Sequence, residues 1–201
     1  AFLAEDVATA APPAPPPPQV TTSTLVIERE GTRLSGGVRT GALANLFGLP
    51  SATPRFLLAG MLRVGAIELE LGVRTGVTAR WAGGPTSTAA VSVWPSIGGD
   101  LAGCFSPRLA RFRPAACALV VAERWEMAGL GIANPAAGAG TLVGLGGRAR
   151  LGFSLGAGFE VGVLAALLGF VRRPVAQFEG VPSLAAGAFG FEAGAWLGFV
   201  P

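Results

Sequence analysis

The chain has 201 residues, 51% of them hydrophobic and 13% charged, with a mean hydropathy of +0.55. That is too apolar for an ordinary soluble domain, so part of the surface is expected to face lipid. The formal charge of +3 is small and its arginines are scattered singly among apolar positions, which argues against a nucleic-acid face and leaves no nucleic-acid partner expected.

Transmembrane helices are a poor fit. The best window, Leu151 to Val171, is interrupted by Glu160 and holds Gly152, Gly156, Gly158, Gly162 and Gly169, a weak helix composition. With 31 Gly and 16 Pro, the apolar content points to strands and turns, and hence to an all-β fold. All fifteen basic residues are Arg, and His and Tyr are absent.

At the N-terminus, Ala1 to Ala11 is too short and, with Glu5 and Asp6, too acidic to be a secretion signal, which is expected to have been removed or trimmed upstream. Ala8 to Val20 reads ATAAPPAPPPPQV, which favours polyproline II and builds no core. Residues 1–31 are therefore expected to be a disordered, semi-rigid linker, with a ligand for a proline-reading domain as the alternative.

From residue 32 onward the pattern alternates with period two. Eight such segments follow: Thr32 to Leu46, Arg55 to Val64, Ala66 to Trp81, Thr88 to Cys104, Cys117 to Met127, Thr141 to Leu155, Phe159 to Arg172 and Leu184 to Phe199. The third is the clearest, with Ile67, Leu69, Leu71, Val73, Val77, Ala79 and Trp81 opposite Glu68, Glu70, Gly72, Arg74, Gly76, Thr78 and Arg80. At sixteen residues it is far longer than the strands of a soluble sandwich and suits a tilted strand that crosses a bilayer. Pro95 should interrupt the fourth ladder with a bulge.

Connections alternate in length. Short turns fall at Val64 and Gly65 and at Gly156 to Gly158; the others carry Pro and Gly over longer stretches, with outward loops expected around Phe47 to Thr53, Met127 to Gly140 and Arg173 to Pro182. Cys104 and Cys117 bracket Pro107 and Pro114 at hairpin-like spacing, which fits a disulfide closing a turn between the fourth and fifth strands in an oxidising compartment, or else two unrelated buried thiols.

The final segment places a polar residue, a glycine, an apolar residue and an aromatic at Glu192, Gly194, Leu197 and Phe199. With eight alternating segments before it, this arrangement resembles the small eight-stranded outer-membrane barrels of the OmpA or OmpX type. It is similar in particular to Arg-, Ala- and Gly-rich barrels of high-GC Gram-negative bacteria that follow a proline-rich stretch. The resemblance covers residues 32–201 and implies an antiparallel up-and-down transmembrane β-barrel in the bacterial outer membrane, with a periplasmic N-terminus. It also implies that Gly194, Leu197 and Phe199 are read by the barrel assembly machinery, although two residues follow the usual terminal aromatic.

On this reading Arg39, Glu68, Glu70, Arg74, Arg148, Arg150, Glu160 and Glu192 lie on the lumen side. An eight-stranded barrel is filled by its own side chains, so these charges are expected to pair across the lumen. A charge at Leu69 is then expected to harm insertion more than one at Gly72. Trp81, Trp94, Trp125 and Trp196, with Phe47, Phe178 and Phe199, are expected to form interfacial girdles.

No cofactor or catalytic role is expected. Without His there is neither a Ser/His triad nor a His metal site, Glu68 and Glu70 are better placed to meet arginines than to share acid–base chemistry, and GLGGRA at Gly144 to Ala149 lacks the full dinucleotide or P-loop spacing. The function expected is a structural element or membrane anchor whose loops contact partners. A narrow solute channel and a soluble lipocalin-like barrel are the alternatives; the last would invert the faces.

Overall fold

The computed structural model describes residues 34–47, 54–82, 90–130, 137–178 and 181–201; the proline-rich segment lies outside them. Among the described residues the chain forms β1 (Leu34–Phe47), β2 (Pro54–Val64), β3 (Ile67–Gly76), β4 (Ala79–Ala82), β5 (Ala90–Phe105), β6 (Phe112–Leu130), β7 (Ala137–Gly156), β8 (Phe159–Arg172), β9 (Val175–Phe178), β10 (Val181–Ala185) and β11 (Phe189–Phe199).

Strict alternation of bulky apolar with polar or small residues makes each long strand two-faced, and closure satisfies both edges. Neighbours in sequence pair antiparallel from β1 to β3 and from β5 to β8; β3 also pairs β5, β8 pairs β11, and β11 returns to β1. The result is an eight-stave up-and-down barrel.

Following one row of partners from Leu34 through Val64, Ile67, Phe105, Ala116, Ala149, Ala165 and Ala193 returns to β1 at Ala44, ten residues from the start. For eight staves that stagger corresponds to a strand tilt of about 40°.

The sixteen-residue third segment is split. β3 and β4 share one stave, interrupted at Val77 and Thr78, and both pair β5. The irregularity faces the bulge expected at Pro95, where the β5–β6 register shifts between Pro95 and Ile97.

Two connections differ from the sequence expectation. β6 starts at Phe112 rather than Cys117, so Pro114 lies inside a strand. Phe112 pairs Phe153 and Ser154 N donates to Arg111 O, an alternation that turns the missing N–H of Pro114 away from β7. β5 has already ended on that side, its last rung being Phe105 with Ala116, so no ladder bond is lost. The eighth stave starts at Phe189 rather than Leu184, because Leu184 and Ala185 pair back onto Ala176 and Val175 in a separate β9–β10 hairpin. The staves also run further at the loop end, with Met127 pairing Gly138 and Ala128 pairing Ala137.

The connections β2–β3, β5–β6 and β7–β8 lie at one end of the barrel, and two of them are tight turns. Gly65, at φ 58, turns β2 into β3; Ala157 and Gly158, at φ 50 and 82, turn β7 into β8; residues 106–111 join β5 to β6; and Val200 N donates to Gly158 O.

Candidate functional site

All eight charged residues assigned to the lumen by sequence point inward and are buried. They form two groups. Nearer the short turns, Glu68 and Glu70, both 0% exposed, sit among Arg39, Arg63, Arg148 and Arg150. Arg63 reaches Glu68 at 2.8 Å, Arg148 and Arg150 reach Glu70 at 2.5 and 2.8 Å, and Arg39 bridges both carboxylates. Arg150 also bonds Glu68, and Arg148 bonds Asp100. Towards the loops, Arg74 reaches Glu123 at 2.6 Å and also bonds Glu192, while Arg55 bonds Glu123 and lies 3.4 Å from Glu192.

Arg55, Arg63, Asp100 and Glu123 were absent from the sequence assignment, although Arg55 and Arg63 alternate with Phe56, Leu58, Leu62 and Val64 and so carry the same signal. With them, the buried set holds six arginines and six carboxylates. Among the described residues these buried charges therefore balance, with Arg113, its side chain as buried as that of its partner Glu160, beside them. Pairing of this kind offsets desolvation more than it adds stability, but each member becomes costly to remove.

Two tryptophans depart from the girdle expectation. Trp125 and Trp196 are 2% and 6% exposed and face the lumen. Arg39 stacks 4.3 Å above the Trp196 ring, Arg55 lies 5.6 Å from the Trp125 ring, and Trp125 Nε1 donates to Glu123 Oε2 at 3.0 Å. Room for Trp196 comes from glycines: a Cβ at Gly162 would lie 2.7 Å from its indole, and one at Gly152 3.0 Å. Trp94 and Phe199 do face outward, and Phe199 packs against Phe159 at 5.0 Å. The side chains of Trp81, Phe47 and Phe178 lie outside the described residues.

The outward face is the inverse of the lumen. Ile67, Leu69, Leu71 and Val73 are exposed on β3, as are Leu58, Leu101, Val163 and Leu167 on other staves. Exposed charges occur at Arg80, Arg124, Glu126, Arg172 and Arg173 towards the loops and at Arg108 and Arg111 by the turns; between those levels no outward described residue is charged. The ten residues of β3 at this tilt give a belt about 25 Å tall. A soluble lipocalin-like barrel would have these faces reversed.

A Cβ on Gly72 would lie 2.1 Å from Asp100 Oδ1 and 2.8 Å from Leu57 Cδ1, so an arginine there must displace both side-chain ends and Gly72→Arg carries a packing cost of its own.

Cys104 and Cys117 are bonded, facing each other across one rung inside the barrel with Cα atoms 4.0 Å apart. Direct pairing explains a separation below the usual range of about 4.4–6.8 Å. The bond staples the β5–β6 hairpin from within rather than closing the turn itself. The double variant Cys104→Ala/Cys117→Ala is expected to lose on the order of 3 kcal/mol in a denaturant titration while still folding as a barrel; failure to fold would show that the staple is needed for assembly.

In the last strand Glu192 and Gly194 lie on the lumen side, and Leu197 and Phe199 face outward. β11 closes the ring, with Leu197 opposite Thr40 and Phe199 opposite Val38. Gly194 has a structural requirement of its own: a Cβ there would lie 2.1 Å from the carbonyl of Ala42.

No protein-family model matches the chain, and no curated protein matches it in sequence. Among solved structures, a major outer membrane protein from Thermus thermophilus is similar over 84% of this chain and 99% of its own, at 11% identity and a TM-score of 0.58. Neisserial surface protein A is similar over 83% and 96%, at 12% identity and a TM-score of 0.51. At such identities the likeness is one of fold, and the fold is that of the small eight-stranded outer-membrane β-barrels.

Proposed function

We propose that the chain is an integral, non-enzymatic barrel of the bacterial outer membrane that serves as a structural element or anchor. The observation that carries this reading is the uncharged apolar belt around a closed ring of strands: about 25 Å of outward surface suits hydrocarbon and nothing polar. The short-turn end would face the periplasm, with residues 1–31 as a linker on that side. The longer connections would face outward, where they could contact partners. Glu192, Gly194, Leu197 and Phe199 would serve the barrel assembly machinery as its recognition strand, a role compatible with the closing position of β11.

Protein extracted in mild detergent is expected to migrate faster on a gel before boiling than after, because a ring without free edges keeps its ladder in detergent. In a planar bilayer the same preparation is expected to give no unitary conductance, since paired charges and apolar side chains are buried across the lumen. Equal migration with and without heating, or ready extraction into aqueous buffer without detergent, would overturn the membrane-barrel reading.

A further inference from the structure

We propose that the Cys104–Cys117 bond is made on an open β5–β6 hairpin, by a disulfide-bearing oxidant, before the barrel closes. The two cysteines face the lumen at 4% and 7% exposure, directly across one rung. That rung continues on both sides, with Glu68 of β3 opposite Cys104 and Arg148 of β7 opposite Cys117. Arg150, also on β7, reaches across from two staves away: its Nη2 bonds Glu68 and lies 3.5 Å from Cys104 Sγ. Ala102 and Leu119, the next lumen-facing residues on the same two strands, are buried as well. The cavity of about 470 Å³ at the short-turn end has Arg63, Arg108, Arg111, Arg113 and Glu160 in its lining but neither cysteine.

Forming the bond takes two exchange steps. One cysteine thiolate attacks a sulfur of the oxidant's disulfide, which breaks and leaves one oxidant sulfur joined to the protein in a mixed disulfide. The second cysteine thiolate then attacks the protein sulfur of that intermediate and expels the remaining oxidant sulfur as a thiolate. The chain gives up two protons and two electrons, and the oxidant's disulfide leaves as two thiols. The intermediate needs room for a whole oxidant substituent beside a cysteine sulfur. In the closed ring a guanidinium lies against Cys104 and both cysteines are buried, so the oxidant has no approach. An open hairpin has that room, because Glu68 and Arg150 belong to other staves. It can also form first: the cysteines are 13 residues apart, and Leu109 and Phe112 exchange backbone hydrogen bonds of 2.8 and 2.9 Å at its turn. Closure, by contrast, waits on pairs such as Val38 with Phe199, from opposite ends of the described chain. Once made, the bond fixes the β5–β6 register, since a slip of one residue would turn one strand's lumen set outward. This order depends on closure alone, so it stands whether the outer face meets lipid or water.

The test uses the full chain with hydroxyethyl disulfide, a small uncharged oxidant, and counts free thiols by maleimide mass-tagging after denaturation. Reduced chain is either held in urea or first folded in mild detergent, where heat-shifted gel migration verifies closure, and the same oxidant is then added to both. The chain in urea is expected to form the bond and the closed barrel to keep both thiols free, its oxidation slower by about a hundredfold or more. Dithiothreitol on the native, oxidised barrel gives the converse measurement and needs no reduced barrel: the bond is expected to persist while the chain is folded and to break in urea. A reduced chain that closes only after oxidation would place the bond before closure outright. Oxidation of the closed, reduced barrel as fast as of the chain in urea, or reduction of the folded native bond as fast as in urea, would overturn the proposal.

Discussion

Glu70→Ala is expected to destabilise the barrel by about 3–5 kcal/mol, the usual consequence of removing one partner from a buried ionic network. Glu70 is completely buried and is contacted by three guanidiniums, those of Arg39, Arg148 and Arg150. Each keeps a second carboxylate after the substitution, Glu68 for Arg39 and Arg150 and Asp100 for Arg148. The buried set nevertheless gains a net positive charge that no water reaches easily. Glu126 supplies the contrast: it lies half-exposed on the outer face, 3.8 Å from a more exposed Arg124, and Glu126→Ala should change stability by about 1 kcal/mol or less. Urea midpoints of the folded barrel in detergent would measure both. Equal effects at the two positions would mean that the lumen is far wetter than the burial of these side chains implies.

Much of this interior was legible because period two is a local property. Along Ile67 to Arg74, every second residue being charged or glycine fixes which side chains share a face, and the length of the segment indicates that the apolar face meets lipid. The same parity already put Trp196 on the side of Glu192; the preference of tryptophan for interfaces pointed the other way, and packing over Gly152 and Gly162 decides in favour of the lumen. Long-range features were harder to read. Nothing near Leu184 announces that it pairs with Ala176 instead of continuing into β11, because that depends on how far β8 extends. Likewise Pro114 reads as a strand breaker until β5 is known to have ended beside it. Arg108, Arg111 and Arg113 are plain in the sequence, but only the folded hairpin brings them to one cavity with Arg63 and Glu160.

Leu71→Arg is expected to weaken folding into lipid vesicles by about 2–4 kcal/mol, the cost of an arginine on the lipid face near the bilayer midplane. Leu71 is 69% exposed and is the middle outward residue of β3, between Leu69 and Val73. Four residues away at the short-turn rim stands Ile67, also outward. At a rise of about 3.3 Å per residue and a tilt of about 40°, it lies about 10 Å closer to one headgroup layer. Ile67→Arg should therefore be far milder, about 0–1 kcal/mol for the charge itself, since the guanidinium can reach the interface. Leu71→Ala separates lost apolar contact from added charge and should fall well below Leu71→Arg. Folding yield against urea in vesicles of fixed thickness gives all three values on one scale. If Leu71→Arg folds as well as Ile67→Arg, the outward face of β3 does not meet hydrocarbon, and the assignment of the belt to the membrane fails with it.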